Sequence, residues 1–163
     1  KAATDIPELG EKFAKAVKEV DAVILFPLTG PETEKAWIKA CRKEKLGVIV
    51  GGEMTHKGFL ESEGGFINEK GTFAIYEIAA GQKINDFVVP GNKPEKIKLY
   101  KAFLEARGVK PVFYSPGLIA QGGNITESAK AAGNYWHAIV GRALYNAKDI
   151  NKAAKELVRN LNS

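Results

Sequence analysis

Five runs of consecutive apolar residues recur along the chain, rich in β-branched side chains and bounded by glycine or polar residues. The runs are DAVILF (21–26), GVIVGG (47–52), NDFVVPG (85–91), PVFYSPG (111–117) and HAIVGR (137–142). They are continuously apolar rather than alternating, which is typical of strands buried on both faces of a parallel sheet. The pattern therefore predicts five parallel strands.

Helical stretches alternate with these strands. Pro31 and Pro94 fall near predicted helix starts, where a missing N–H costs nothing, and Gly108 and Gly133 follow predicted helix ends. The predicted helices span residues 8–19, 31–45, 68–82, 93–107, 124–133 and 149–161. The chain thus reads as one helix followed by five strand–helix units.

Strict strand–helix alternation predicts an α/β fold with right-handed crossovers. Two architectures remain open at this point, an open doubly wound sheet and part of a (β/α)8 TIM-type barrel. The chain contains no linker, low-complexity tract or change of composition, so residues 1–163 are predicted to form a single domain.

Composition restricts the functional classes. Apolar residues make up 45% and charged residues 26%, as in an ordinary globular protein, and no apolar run approaches the ~20 residues of a membrane span. We expect a cytoplasmic protein without a membrane partner. The net charge of +5 would suit nucleic acid or a phosphorylated small ligand, but the lysines are spread beside glutamates on helices, so no nucleic-acid partner is predicted. The lone Cys41 indicates a reduced structural thiol.

The loops that follow the strands hold the unusual residues, and both architectures bind ligands at these carboxyl ends. EMTH (53–56) follows the second predicted strand, YSPGLIAQGG (114–123) ends the fourth, and Gly141-Arg142 ends the fifth. Glycines let the backbone approach a ligand, and the fork of an arginine suits a phosphate. A phosphate site in the last two loops is one interpretation. A tight turn beside a surface arginine is the other.

EMTHKG, YSPGLIAQGG and HAIVGRALYNAKD resemble the corresponding loops of the orotidine 5'-monophosphate decarboxylase family. TDIPELGEK resembles the segment that follows that family's Asp-x-Lys-x-x-Asp motif, and the resemblance runs through the whole chain in the right order. It implies a (β/α)8 barrel enzyme that removes carbon dioxide from C6 of orotidine 5'-monophosphate to give uridine 5'-monophosphate. It also implies no metal, no organic cofactor and a homodimer with shared active sites.

The resemblance carries roles to particular residues. Gln121 would bridge the pyrimidine and the 5'-phosphate, and Gly141 and Arg142 would hold that phosphate. Thr55 takes the place of a Ser or Thr that bonds the pyrimidine, and Pro116 would lie against the ring.

The front of the motif departs from the family. Asp5 fits the second aspartate, which reaches a partner's active site, and Ile6 follows it as a further substrate contact. Where the catalytic lysine belongs, three residues before Asp5, stands Ala2, and Lys1 is one residue too early. Either Ala2 replaces that lysine or a one-residue insertion lets Lys1 serve, so Asp5 and Lys1 are the catalytic candidates. Leu9 stands where the family usually has a threonine.

Five strands cannot close an eight-stranded barrel, so we expect the chain to be the C-terminal portion of a longer polypeptide, or to need a complementary fragment, and to be inactive alone. Two rival functions stay open. One is a sister sugar-phosphate lyase of the hexulose-phosphate type, which depends on magnesium. The other is a non-catalytic fragment that binds a nucleotide or phosphate ligand without turnover.

Overall fold

The computed structural model describes residues 2–161, with the side chains of residues 4–159. Its strands are Ala2–Ala3 (β1), Ala22–Phe26 (β2), Gly47–Gly51 (β3), Asp86–Val88 (β4), Val112–Ser115 (β5) and Trp136–Ala138 (β6). Its α-helices are Pro7–Ala16 (α1), Pro31–Lys43 (α2), Glu69–Gly81 (α3), Pro94–Glu105 (α4), Ile125–Ala132 (α5), Arg142–Tyr145 (α6) and Ile150–Leu161 (α7). A 3-10 turn covers Glu61–Glu63.

The described strands form one parallel sheet in the order β1-β2-β3-β4-β5-β6, so each strand lies beside the one that precedes it in sequence. Consecutive helices contact each other from α1 to α5, which places them on the same side of the sheet. A doubly wound sheet would reverse its strand order and carry helices on both faces. The singly wound order is that of a (β/α) barrel, and it decides between the two architectures that the sequence left open.

The predicted elements were found, with shifts at their ends. The sequence pattern missed β1, because two residues are too few for an apolar run, and it missed the short helix α6. The fifth predicted strand, 137–142, is instead Trp136–Ala138, so Gly141 and Arg142 lie beyond it. Hydrogen bonds between neighbouring strand ends continue past β4 and β5, since the Gly91 N–H donates to the Pro116 oxygen at 2.8 Å.

The hydrophobic core lies between the sheet and its helices. Alternate strand residues such as Leu25, Val50 and Phe113 point to the helices and are fully buried. The residues between them, such as Ile24 and Ile49, which pair across β2 and β3, are only half-buried on the opposite face. One face of the sheet is therefore packed under helices, and the other is less covered by the described residues.

Trp37 fills the space between α1 and α2. Its ring is buried and packs on Phe13, with ring centroids 5.1 Å apart, and its indole N–H donates to the Ile6 oxygen at 3.1 Å. The Cβ that Gly10 lacks would come within 3.0 Å of this ring, so the glycine permits the close contact of the two helices. The segment after β1 is thereby fixed to α2.

No helix among the described residues has both the length and the apolar character needed to cross a bilayer.

Candidate functional site

The loop that follows β5, residues 116–123 and here named the glycine loop, turns sharply on itself. Gly117 and Gly122 have positive φ angles of 88° and 84°, a region that glycine adopts without steric cost. The Ile119 N–H donates to the Gly123 oxygen at 2.8 Å, and the Gly123 N–H donates to the Gly117 oxygen at 3.2 Å. The loop is thus shaped by its own backbone, which explains the glycines that the sequence places there.

A cavity of about 210 Å³ lies between the glycine loop and the segment that follows β6. Four residues predicted to bind substrate, Pro116, Gln121, Gly141 and Arg142, line it together, and the Tyr145 side chain completes the wall. Gln121 and Arg142 are exposed, and within the described part of the chain neither side chain has a hydrogen-bond or ion-pair partner. A cationic fork and an amide are therefore free to bind a ligand in this cavity.

Thr55, a fifth predicted binding residue, reaches the same place from the loop after β3. A Cβ on Gly117 would stand 2.6 Å from Thr55 Cγ2 and 3.0 Å from Gln121 Oε1, so both side chains lie against this glycine. The backbone carbonyl oxygen of Thr55 accepts a 2.8 Å hydrogen bond from Asn92 Nδ2 in the loop after β4. Loops from three successive strands converge at Gly117.

Asp5 and Ile6 lie apart from this cavity. They follow β1, which forms one edge of the described sheet, whereas Gly141 follows β6 at the other edge. Their side chains are exposed, while Thr29 Oγ1 donates to the Asp5 oxygen at 2.9 Å and fixes the backbone. Lys1 lies outside the described residues, so its catalytic role stays a prediction.

A group of charged and polar side chains around the buried Glu53 holds residues 52–67, here named the long loop, and the sequence interpretation missed it. Glu53 has no exposed side-chain surface, and its Oε1 accepts a 2.7 Å hydrogen bond from Lys93 Nζ. Tyr100 donates its hydroxyl hydrogen to Glu53 Oε2, and Lys93 also pairs with Glu63 in the 3-10 turn. We name Glu53, Glu63, Lys93 and Tyr100 the charged cluster. Its members lie far apart in sequence, and no local pattern signals their pairing.

The pKa values of the charged cluster reflect this pairing. Burial alone would lower the pKa of Lys93, but the hydrogen bonds and charges of Glu53 and Glu63 outweigh it and raise the pKa above its ordinary value. Burial would raise the pKa of Glu63, yet the hydrogen bond and charge of Lys93 leave it lowered. Burial, followed by the hydrogen bond to Glu53, raises the pKa of Tyr100. Lys93 is therefore a cation at neutral pH.

A second cavity, of about 250 Å³, lies where the end of the long loop meets α2 and α3. Its wall is mainly apolar and includes Leu28, Phe66 and Ile78, with the buried side chain of Glu34 among them. Glu34 Oε1 has no hydrogen-bond partner among the described residues. Burial raises the pKa of this carboxyl from 4.5 to about 8, against the opposing charge of Lys35, so the group is largely neutral at pH 7.

Among the described residues, no group of three or more His, Cys, Asp and Glu side chains is placed to hold a metal ion. His56, which the sequence places close to Glu53, instead packs its ring edge-on against Phe59, with centroids 5.5 Å apart.

A singly wound parallel sheet, with helices on one face and a cavity at the carboxyl ends of its last strands, defines a (β/α) barrel-type protein, a class that binds ligands at its strand ends. The chain belongs to the orotidine 5'-phosphate decarboxylase / HUMPS family, whose sequence profile matches residues 3–157. The family resemblance of the loops and the predicted (β/α)8 fold class are thereby confirmed.

Individual relatives support the same family. Orotidine 5'-phosphate decarboxylase of Pyrococcus abyssi is 35% identical over 156 residues, which cover 94% of this chain and 67% of that protein. The Methanocaldococcus jannaschii enzyme of the same name is 33% identical over 162 residues, 97% of this chain and 70% of that protein. A crystal structure of the M. jannaschii decarboxylase complexed with inhibitor BMP matches with a TM-score of 0.84 and 29% identity, over 99% of this chain and 71% of that one.

Proposed function

We propose that this chain carries the nucleotide-binding part of an orotidine 5'-phosphate decarboxylase, which converts orotidine 5'-monophosphate to uridine 5'-monophosphate in pyrimidine biosynthesis without metal or organic cofactor. In this proposal Arg142 and Gly141 hold the 5'-phosphate, Thr55 and Pro116 hold the pyrimidine, and Gln121 reaches both. Binding the phosphate, far from the reacting carbon, holds the orotate ring in a reactive position.

The convergence of the loops after β3, β5 and β6 is the observation that carries the proposal. Arg142, Gln121 and Pro116 line one cavity, and Thr55 lies against the same glycine as Gln121. A free arginine in the cavity and a threonine beside Gly117 supply groups that suit the two ends of a nucleotide, an anion and a base with hydrogen-bonding groups.

The phosphate assignment is tested by comparing two ligands. Arg142→Ala removes a charge-assisted contact worth about 1.5–3 kcal/mol, so we expect uridine 5'-monophosphate to bind roughly tenfold to a hundredfold more weakly. Uridine, which has no phosphate, should bind as before. Calorimetry measures both, with Arg159→Ala on the exposed side of α7 as the charge-matched control. Equal losses for the two ligands would remove the phosphate assignment.

Catalysis in this proposal depends on a lysine and an aspartate at the carboxyl end of β1. The aspartate is Asp5, and Ala2 stands in the lysine's place three residues before it, since a one-residue insertion beside a strand would reverse the side-chain direction of the position. With a complementary fragment supplied to complete the barrel, Ala2→Lys should therefore raise turnover of orotidine 5'-monophosphate above that of the unchanged chain under the same conditions. The insertion alternative predicts instead that Lys1→Ala abolishes turnover and that Ala2→Lys adds nothing.

A homodimer with shared sites is part of the same proposal. Asp5 and Ile6 are exposed, 52% in the case of Ile6, on a backbone fixed by Thr29 and Trp37. Such a segment is suited to reach a partner's active site. Ile6→Asp should shift sedimentation toward the monomer, whereas an unchanged sedimentation coefficient would contradict the shared site.

We further propose that the protein acts in the cytoplasm without a nucleic-acid partner.

The family profile also covers the HUMPS branch, so a sister sugar-phosphate lyase is the second candidate. The matched relatives named above favour the decarboxylase. The two differ in their need for metal, since the sister enzymes stabilise an enediolate on magnesium. Turnover of orotidine 5'-monophosphate that survives chelation supports the decarboxylase, and magnesium-dependent turnover of a sugar phosphate would replace it. A non-catalytic binding protein predicts nucleotide binding without either reaction.

A further inference from the structure

We infer that Lys93 is a positioning residue that fastens the long loop at two points and so places Thr55 beside Gly117. The inference rests on the proposed function for the identity of the ligand, but its structural part concerns the protein alone. Lys93 precedes α4, is not among the residues that line the cavity between the glycine loop and Gly141, and joins two parts of the long loop that lie ten residues apart in sequence.

The inner attachment lies at the beginning of the long loop. Glu53 comes two residues before Thr55, and its carboxylate is fixed by Lys93 at 2.7 Å on one oxygen and by the Tyr100 hydroxyl on the other. With no exposed side-chain surface, Glu53 is shielded from solvent competition for these bonds. The backbone that leads into Thr55 is therefore anchored to α4.

The outer attachment lies in the 3-10 turn. Glu63 pairs with the same ammonium group, but 27% of its side chain is exposed, so water and salt weaken this pair more than the inner one. Inside the long loop, Leu60 and Ile67 pair as an isolated bridge, and a Cβ on Gly65 would approach the Gly58 oxygen to 2.2 Å. The outer part is compact, and Lys93 ties it as one body to the protein.

Asn92, the neighbour of Lys93, makes the third contact by donating to the Thr55 oxygen at 2.8 Å. Two consecutive residues of the loop after β4 thus hold the backbone of the long loop on both sides of Met54. Thr55 lies against Gly117 only if this backbone stays in place. Loss of Lys93 should consequently affect the pyrimidine end of the ligand site and leave the phosphate contacts of Arg142 unchanged.

The experiment combines hydrogen exchange of the long loop with binding of uridine and uridine 5'-monophosphate. Lys93→Met should speed exchange across residues 54–66 and weaken both ligands by the same factor, about tenfold for a lost charged hydrogen bond. Lys93→Arg, which keeps the charge and has enough N–H donors for both carboxylates, should restore most of both readouts. Lys98→Met, the same change on the exposed side of α4, should alter neither.

Glu63→Gln provides the milder variant, because it weakens only the partly exposed attachment and leaves the buried one. It should speed exchange in residues 59–65 and weaken the two ligands by less than about threefold. If Lys93→Met does not fold, unchanged exchange in Glu63→Gln would overturn the outer attachment.

Three results contradict the inference directly. They are unchanged exchange in folded Lys93→Met, failure of Lys93→Arg to restore it, and selective loss of uridine 5'-monophosphate over uridine, which would place Lys93 at the phosphate. Should the unchanged protein bind neither ligand, the proposed function fails, and hydrogen exchange still decides whether Lys93 fastens the loop.

Discussion

The glycine loop and the long loop meet at Gly117 and Thr55, yet they are held by different kinds of interaction. The glycine loop is shaped by positive φ angles and by hydrogen bonds within its own backbone. The long loop is held from outside, by partly buried side chains of the loop after β4 and by the buried Tyr100 of α4. A site can thus combine one wall that is fixed locally with another that depends on distant residues.

The difference has energetic consequences. A glycine turn carries its conformation in its own sequence, and one misplaced Cβ is enough to disturb it. A buried ion pair requires both partners, because removal of one leaves an uncompensated charge in a medium of low polarity. The four predictions below test this contrast, from the largest expected effect to the smallest.

Glu53→Gln should destabilise the fold most. It removes the charge of a fully buried carboxylate that accepts from both Lys93 and Tyr100, while Lys93 keeps its pair with Glu63. At about 1.5–3 kcal/mol for each charged hydrogen bond, we expect a loss of about 3–5 kcal/mol of the free energy of unfolding. Glu63→Gln, at the partly exposed attachment of the same lysine, should cost at most about 1 kcal/mol. Denaturant unfolding measures both variants, and equal losses would show that burial does not distinguish the two carboxylates.

Glu34, beside the far end of the long loop, should make stability depend on pH. Its carboxyl has a pKa of about 8 in the folded protein against 4.5 unfolded, so unfolding releases a proton between these values. Stability contributed by this group should therefore fall by about 1.4 kcal/mol per pH unit from pH 4.5 to 8, and be flat outside that window. Unfolding free energies compared between the unchanged protein and Glu34→Gln isolate the slope. A difference that does not vary with pH would contradict the assignment.

Gly117→Ala should weaken the ligand site through two effects. The new Cβ meets Thr55 Cγ2 at 2.6 Å, and the φ of 88° is unfavourable for alanine by about 1–2 kcal/mol. Gly122→Ala has a similar φ of 84° but open space around it, so it reports the backbone strain alone. We expect uridine 5'-monophosphate to bind roughly tenfold more weakly to Gly117→Ala than to Gly122→Ala. Equal affinities would show that Thr55 yields to the added methyl group.

Asn92→Ala should have the smallest effect of the four. It removes one neutral hydrogen bond to the Thr55 oxygen, worth about 1 kcal/mol, and so should weaken uridine and uridine 5'-monophosphate by a similar factor of about five. Calorimetry with both ligands measures the change. A loss confined to the phosphorylated ligand would show that Asn92 does not act through Thr55.

The sequence predicted the glycine loop better than the long loop, because the glycine loop is shaped by its own residues and the long loop is held by residues far away in sequence. Gly117, Gly122 and Gly123 follow an apolar strand directly, so the pattern itself indicates a turn at the carboxyl end of the sheet. The candidate binding residues Gln121 and Arg142 were assigned through the family resemblance, and the structure places both in the lining of one cavity.

The pairing within the charged cluster could not be predicted from the sequence pattern. Lys93 and Glu53 are 40 residues apart, and Tyr100 and Glu53 are 47 apart, so their pairing depends on how the sheet brings β3 and β4 together. In sequence, Lys93 is one lysine among many beside a helix start. Likewise, the sequence pattern missed β1, because its two residues form a strand only by pairing with Leu25 and Phe26 of β2.

The sequential strand order bears on how the chain folds. Every described strand pairs with its predecessor, as Val23 does with Val48 and Phe87 with Phe113, so each pairing closes a chain segment of only a few dozen residues. Closure of short segments costs little entropy and favours rapid folding. The sheet can therefore grow one strand–helix unit at a time from its first strands. Because the cavity between the glycine loop and Gly141 needs both β5 and β6, the proposed nucleotide binding should become possible only after the last unit has docked, and its onset during refolding would time that final step.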